Sequence, residues 1–78
     1  MKKVDFIVDY KKYSITSDDV LRVARSAQPE AIRKFYTEVA GKRFPPTQLT
    51  RLAGGAPHTY SHNSRAHLTE LGFRIEVL

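Results

Sequence analysis

Apolar and polar residues alternate near the start of the chain. Val4, Phe6 and Val8 fall on one side of Lys3–Asp9, with Asp5, Ile7 and Asp9 on the other, the period of a half-buried strand. Tyr10–Ile15 either continues that strand or folds back as a second one through Lys11-Lys12. A helix start follows. Thr16 is placed to act as N-cap, with Asp19 completing a capping box and Ile15 and Val20 forming a hydrophobic staple. Asp18 and Asp19 meet the positive end of the helix dipole there, and so read as cap residues rather than paired catalytic carboxylates. This helix is expected to reach Ser26 or Ala27, burying Val20, Val23 or Ala24, and Ala27.

Pro29 suits the first turn of a second helix. Ile32, Phe35, Tyr36 and Val39 then recur at i, i+3, i+4 and i+7, an amphipathic helical face, with Gly41 as its C-terminal stop. At that spacing Phe35 and Tyr36 read as core rather than as a base-stacking platform. Lys42-Arg43-Phe44 is a connector or a brief strand. Pro45-Pro46 opens a helix over Pro46–Ala53 with Leu49, Leu52 and Ala53 inward, and Gly54-Gly55 ends it.

Ala56–Tyr60 is a loop, and Ser61 is the expected N-cap of a last helix, Ser61–Leu71. That helix buries Ser64, Leu68 and Leu71 and turns His62, Arg65 and Thr69 away. Gly72 caps it, and Phe73, Ile75 and Val77 alternate with Arg74 and Glu76 in a closing strand over Phe73–Leu78. The strand's expected partner is Lys42–Phe44 or the N-terminal strand. The reading is one α+β domain over residues 1–78, in the order β-α-α-β-α-α-β. Its C-terminal half is helix-turn-helix-like, with the closing strand as a winged-helix element. The connection Gly54–Tyr60 is longer than the compact three- or four-residue turn of that motif.

At 78 residues, one small core must carry the fold, since such chains bury only about 60% of their unfolded surface. There is no cysteine, hence no disulfide and no thiolate zinc site, which fits a reducing, cytoplasmic location. Apolar runs are short, so no membrane span is expected. Lys2-Lys3 gives way at once to Val4-Asp5, where a targeting segment needs an unbroken apolar stretch.

Charge changes the picture most. The net charge is +5, made of +2 over residues 1–38 (eight basic, six acidic) and +3 over residues 39–78 (five basic, two acidic). The second half reaches its excess by lacking acids: Val39–Thr69 contains none, while it holds Lys42, Arg43, Arg51, Arg65, His58, His62 and His67. A helix pair stripped of negative charge is what a polyanion-binding surface requires. The expected partner is nucleic acid, double-stranded DNA first and RNA after it, because no paired exposed aromatics on a sheet point to an RNA platform.

On that reading the outer face of the last helix offers Ser61, His62, Asn63, Arg65 and Thr69, residue types that reach phosphates and base edges. Ser61 at the helix N-terminus is suited to a phosphate. Lys42, Arg43 and Arg51 are expected to grip the backbone and fix register.

Gly41-Lys42-Arg43-Phe44-Pro45-Pro46-Thr47-Gln48-Leu49, with Tyr60-Ser61, Arg65-Ala66, Leu68 and Leu71-Gly72-Phe73, resembles a small bacterial module. That module occurs alone or attached to DNA-modification-dependent restriction nucleases. It shows a glycine-basic-aromatic-proline opening, a helix, then an aromatic-serine helix ending in Leu-Gly-Phe. The resemblance covers the second half only. It implies a DNA-associated role, as in a bacterial or phage regulator, and brings no catalytic residue with it.

Catalysis is not expected. His58 and His62 are four apart, but His58 follows Pro57 in the loop, His67 adds no regular third position and no carboxylate completes a metal site. Ser61 and His62 diverge as helix neighbours and lack a third group to orient a base, and Gly54-Gly55 lacks the Lys-Ser/Thr of a phosphate loop. No cofactor is implied. The competing expectation is a protein-interaction adaptor or inhibitor, phage-encoded for instance, that uses the strand Lys3–Asp9 as an open edge, as monomer or homodimer.

Overall fold

The computed structural model describes residues 2–78. Along them run β1 (Lys3–Val8), β2 (Lys11–Thr16), α1 (Ser17–Ser26), β3 (Phe35–Val39), β4 (Lys42–Phe44), α2 (Pro46–Gly54), α3 (Ser61–Glu70) and β5 (Glu76–Val77). The architecture is α+β, as the residue pattern implies. Among the described residues no helix is long and apolar enough to cross a membrane.

Tyr10–Ile15 folds back rather than continuing: β1 and β2 form an antiparallel hairpin in register from Lys3↔Thr16 to Val8↔Lys11. Its turn is Asp9–Tyr10, both at positive φ (52° and 66°), the type I′ geometry that matches strand twist. α1 begins as its sequence dictates. Asp19 N–H donates to Thr16 Oγ1 at 3.2 Å and Thr16 N–H donates to Asp19 Oδ2 at 2.9 Å, while Ile15 and Val20 are fully buried beneath that box.

The helix expected from Pro29 is not there. Residues 27–34 are irregular, and Phe35–Val39 is a strand. Thr37 and Val39 are buried and Glu38 is exposed between them, so the true period is two. The polar identity of Thr37 hid that alternation, and the fit of Ile32, Phe35, Tyr36 and Val39 to a helical stripe was coincidental. Ala40 and Gly41, at φ 54° and 75°, form a second type I′ turn between β3 and β4 instead of a helix stop. β5 pairs with neither expected partner but with the other edge of β3, Phe35↔Val77 and Tyr36↔Glu76, in a sheet ordered β4-β3-β5. It is also shorter than Phe73–Leu78.

α2 is the hub, packed on α1, on α3 and on β2. Leu49 is buried as expected, but Leu52 is exposed and the inward positions are taken by Gln48 and Thr50. Buried Gln48 works as a clasp: its Nε2 donates to Gln28 O at 2.7 Å and its Oε1 accepts from Glu30 N–H at 2.8 Å. An irregular linker without ladder partners is thereby satisfied. Gly54 ends α2 where a Cβ would lie 3.0 Å from Phe6 Cζ, so the hairpin seats directly on the helix. Val4, Ile15, Val20, Ala24, Val39, Phe44, Leu49, Leu68 and Leu71 form one core between hairpin, helices and sheet.

Candidate nucleic-acid interface

Packing decides which face α3 shows. Ser64 and Leu68 are buried, with Leu71 following them inward, while Ser61, His62, Asn63, Ala66 and Thr69 are exposed and Arg65 is half-buried. The N-cap is Tyr60, one residue before the expected Ser61, and its side chain makes no capping bond. The first turn contains no acid. The leading N–H groups of α3 therefore retain their partial positive charge without an internal anion beside them.

The Arg65 guanidinium is held by two contacts. Its Nε donates to the Ser61 carbonyl at 3.3 Å, and its guanidinium carbon lies 3.9 Å from the centre of the Phe35 ring. Phe35 is also where two clefts meet. A cleft of about 750 Å³ includes Arg33, Lys34, Phe35, Thr47, Tyr60 and Ser61 in its walls. The second, about 560 Å³, includes Phe35, His62, Arg65, Thr69, Glu70 and Ile75. Arg33 and Lys34 make no ion pair among the described residues, and Lys34 Nζ sits 5.2 Å from the Phe35 ring centre. Two cations, Arg65 and Lys34, thus stand at one aromatic ring, with Arg33 in the wall of the larger cleft; Glu30, paired with Arg51, lines that cleft and Glu70 lines the smaller one.

Of the expected site residues, Ser61, His62, Arg65 and Thr69 share this surface, and Asn63 is exposed on the same helix outside the cleft walls. Lys42 and Arg51 do not join them. Lys42 Nζ donates to Ala27 O at 3.0 Å, and Arg51 donates to the Glu30 carboxylate at 2.8 Å. Both fasten the 27–30 linker beside the Gln48 clasp, where they were expected to grip a nucleic-acid backbone. Arg43 lies on β4, over the Tyr36 ring at 4.8 Å and 3.8 Å from Glu38. Phe35 and Tyr36 are accordingly half-buried ring partners of arginines, not helix core. Arg33, Lys34 and Tyr60 were not anticipated. The signal available for the first two was the β-prone run Phe-Tyr-Thr that follows them.

The histidines are dispersed. His58 Nε2 lies 3.1 Å from Asp9 Oδ2, His62 is exposed, and His67 stacks on Phe6 with ring centres 5.1 Å apart. Burial among these groups pushes the His67 pKa below its ordinary value, opposed by the nearby Glu70 carboxylate. No family model, curated protein or solved structure matches this chain.

Proposed function

We propose that this chain is a small non-catalytic DNA-binding module, of the kind used as a bacterial or phage regulator in the cytoplasm. In this reading α3 is the reading element of a winged-helix-like unit formed by β3, β4, α2, α3 and β5. His62, Asn63, Arg65 and Thr69 face base edges, and Ser61 with the free N–H groups of α3 meets a phosphate. Arg33 and Lys34 take over the backbone-gripping role expected of Lys42 and Arg51. The observation that carries the reading is the placement of Arg65 and Lys34 at the Phe35 ring, with Arg33 in the adjoining cleft wall, beside a helix start that has no acid of its own.

The test is fluorescence anisotropy with duplex DNA over a salt series. Arg33→Ala and Lys34→Ala are each expected to weaken binding to all sequences and to flatten the log–log salt slope by about 0.9. No binding at low salt, or binding indifferent to Arg33, Lys34 and Arg65, overturns the proposal.

One observation favours a second reading. Among the described residues β1 pairs only with β2, so its outer edge has no strand partner there, and Ile7 and Tyr10 beside it are exposed. A protein partner, or a second copy, would add a strand there. A stoichiometric partner retained after nuclease treatment in a pull-down from the native host would favour that reading over DNA.

A further inference from the structure

We propose that the tip of the β1–β2 hairpin is a second DNA-contacting element, which lays Tyr10 and Lys11 on the duplex beside the site read by α3. This rests on the DNA-binding reading and extends its footprint. Three independent features of the tip point there.

The first is conformational. Val8↔Lys11 closes the hairpin and leaves Asp9 and Tyr10 as its two turn residues, at φ 52° and 66°. Glycine or asparagine holds the second position of such a turn with little steric cost, whereas a residue with a bulky side chain is strained there. Tyr10 stands in that position while fully exposed. The strain therefore supports no packing within the fold, and strained residues of this sort concentrate at contact and switch sites.

The second is position. Asp9, the other turn residue, contacts His58 Nε2 at 3.1 Å. His58 belongs to the α2–α3 connection and meets the Tyr60 ring edge-on, centres 5.6 Å apart at 78°. Tyr60 is the N-cap of α3 and lines the cleft that holds Arg33 and Lys34. A chain of side-chain contacts thus ties the hairpin tip to the start of the reading helix, and the tip is braced there rather than left to swing.

The third is charge. Lys11 has no carboxylate partner among the described residues; its Nζ lies 5.7 Å from the Tyr13 ring centre. Lys12 is adjacent, 3.5 Å from Asp5. The one acid at the tip itself, Asp9, is turned to His58. A fully solvated aromatic next to a free lysine suits a phosphodiester strand, with the ammonium at a phosphate and the ring against a sugar or base edge.

The test uses the full chain with a 20-bp duplex and four proteins: wild type, Tyr10→Gly, Tyr10→Asn and Lys11→Ala. Arg33→Ala serves as the control for the underlying reading. Thermal melting and anisotropy are read together, with hydroxyl-radical footprinting of the complex. Tyr10→Gly and Tyr10→Asn are expected to melt above wild type, because they relieve the turn, yet to bind severalfold more weakly, because a contact that positions the duplex is lost. Protection is expected to shrink at one flank only.

Raised melting temperatures with unchanged affinity and footprint, while Arg33→Ala still loses binding, overturn the hairpin assignment and leave the DNA-binding reading standing. Failure of wild type to bind duplex at low salt overturns both. Retained DNA binding with hairpin variants defective only toward a captured protein would also overturn the assignment, in favour of a protein contact at the tip.

Discussion

Arg65 sits over the ring of Phe35, guanidinium carbon to ring centre 3.9 Å, and this contact joins the middle of α3 to the first residue of β3. The attraction is that of a cation over the negative face of an aromatic ring, about 0.5–1 kcal/mol at exposed sites. Its larger effect is on aim: a stacked guanidinium has given up rotamers before a ligand arrives. Phe35→Leu keeps apolar bulk without the quadrupole and is expected to weaken DNA binding severalfold. Arg65→Lys, lacking the planar fork, should do the same. A double-mutant cycle by anisotropy checks the coupling; strictly additive losses would show that Phe35 does not orient Arg65.

Arg33 and Arg51 should separate cleanly. Arg51→Ala is expected to lower stability by about 0.5–1 kcal/mol, the range for a partly solvated ion pair, with affinity for DNA nearly unchanged. Arg33→Ala should do the opposite. Gln48→Ala removes both part-buried hydrogen bonds to the linker and is expected to cost about 0.5–1.5 kcal/mol for each bond lost. Urea titrations alongside anisotropy read all three; the fastening role of Arg51 is refuted if Arg51→Ala weakens binding without affecting stability, and the clasp is refuted if Gln48→Ala leaves stability unchanged.

Gly54 should resist a substitution that usually helps. Alanine in a helix is favoured over glycine by about 1 kcal/mol. Here the new methyl would meet Phe6 Cζ at 3.0 Å and Ile15 Cγ2 at 3.1 Å. Phe6 has little freedom to retreat, stacked as it is against both Tyr13 and His67. Gly54→Ala is expected to destabilise by about 1–3 kcal/mol through overpacking. Phe6→Leu in the same chain should recover part of that loss, and denaturant midpoints would reveal a sign error directly.

His67 predicts an acid sensitivity with a defined direction. Burial holds its pKa below the ordinary histidine value, so the unfolded chain takes up that proton first as pH falls. Stability from this site is intact above about pH 6.5, the ordinary histidine value, and declines as pH drops toward the folded value. Wild type should lose stability between pH 7.5 and 5.5, and His67→Gln should lose less over that interval. Asp5 acts in the same direction at more acid pH, held below the carboxylate range by the Ser14 hydroxyl, with Lys12 and Lys3 adding to it. Equal pH slopes for wild type and His67→Gln would rule out the His67 contribution.

The residue pattern was informative wherever a signal is local. Thr16 and Asp19 define a helix start within four residues, Gly72 at φ 97° marks the end of α3, and Ser64 and Leu68 fix which face of α3 is free. β3 was illegible for a tertiary reason. Thr37 is fully buried only because two strands and the core enclose it, and no short-range rule distinguishes such a threonine from a solvated one. The site inherited that error. Arg33 and Lys34 reach the α3 surface only because Phe35 begins a strand beneath Arg65. The engagement of Lys42 and Arg51 was not legible locally, because what occupies them, Ala27 O and Glu30, lies 15 and 21 positions back. Counting acids in a window cannot detect a carboxylate supplied from outside it.

β5 offers only two rungs to β3, Phe35↔Val77 and Tyr36↔Glu76, supplemented by Leu78 N–H to Lys34 O at 2.8 Å. Ladders this brief and this solvated open at a small fraction of the global unfolding cost. When these rungs part, Ile75 withdraws from beside Phe35 and the floor of the smaller cleft drops away, with the rest of the core still closed. The width of that cleft is thus tied to a two-rung seam, and amide exchange at these strand protons should be fast compared with the β1–β2 ladder.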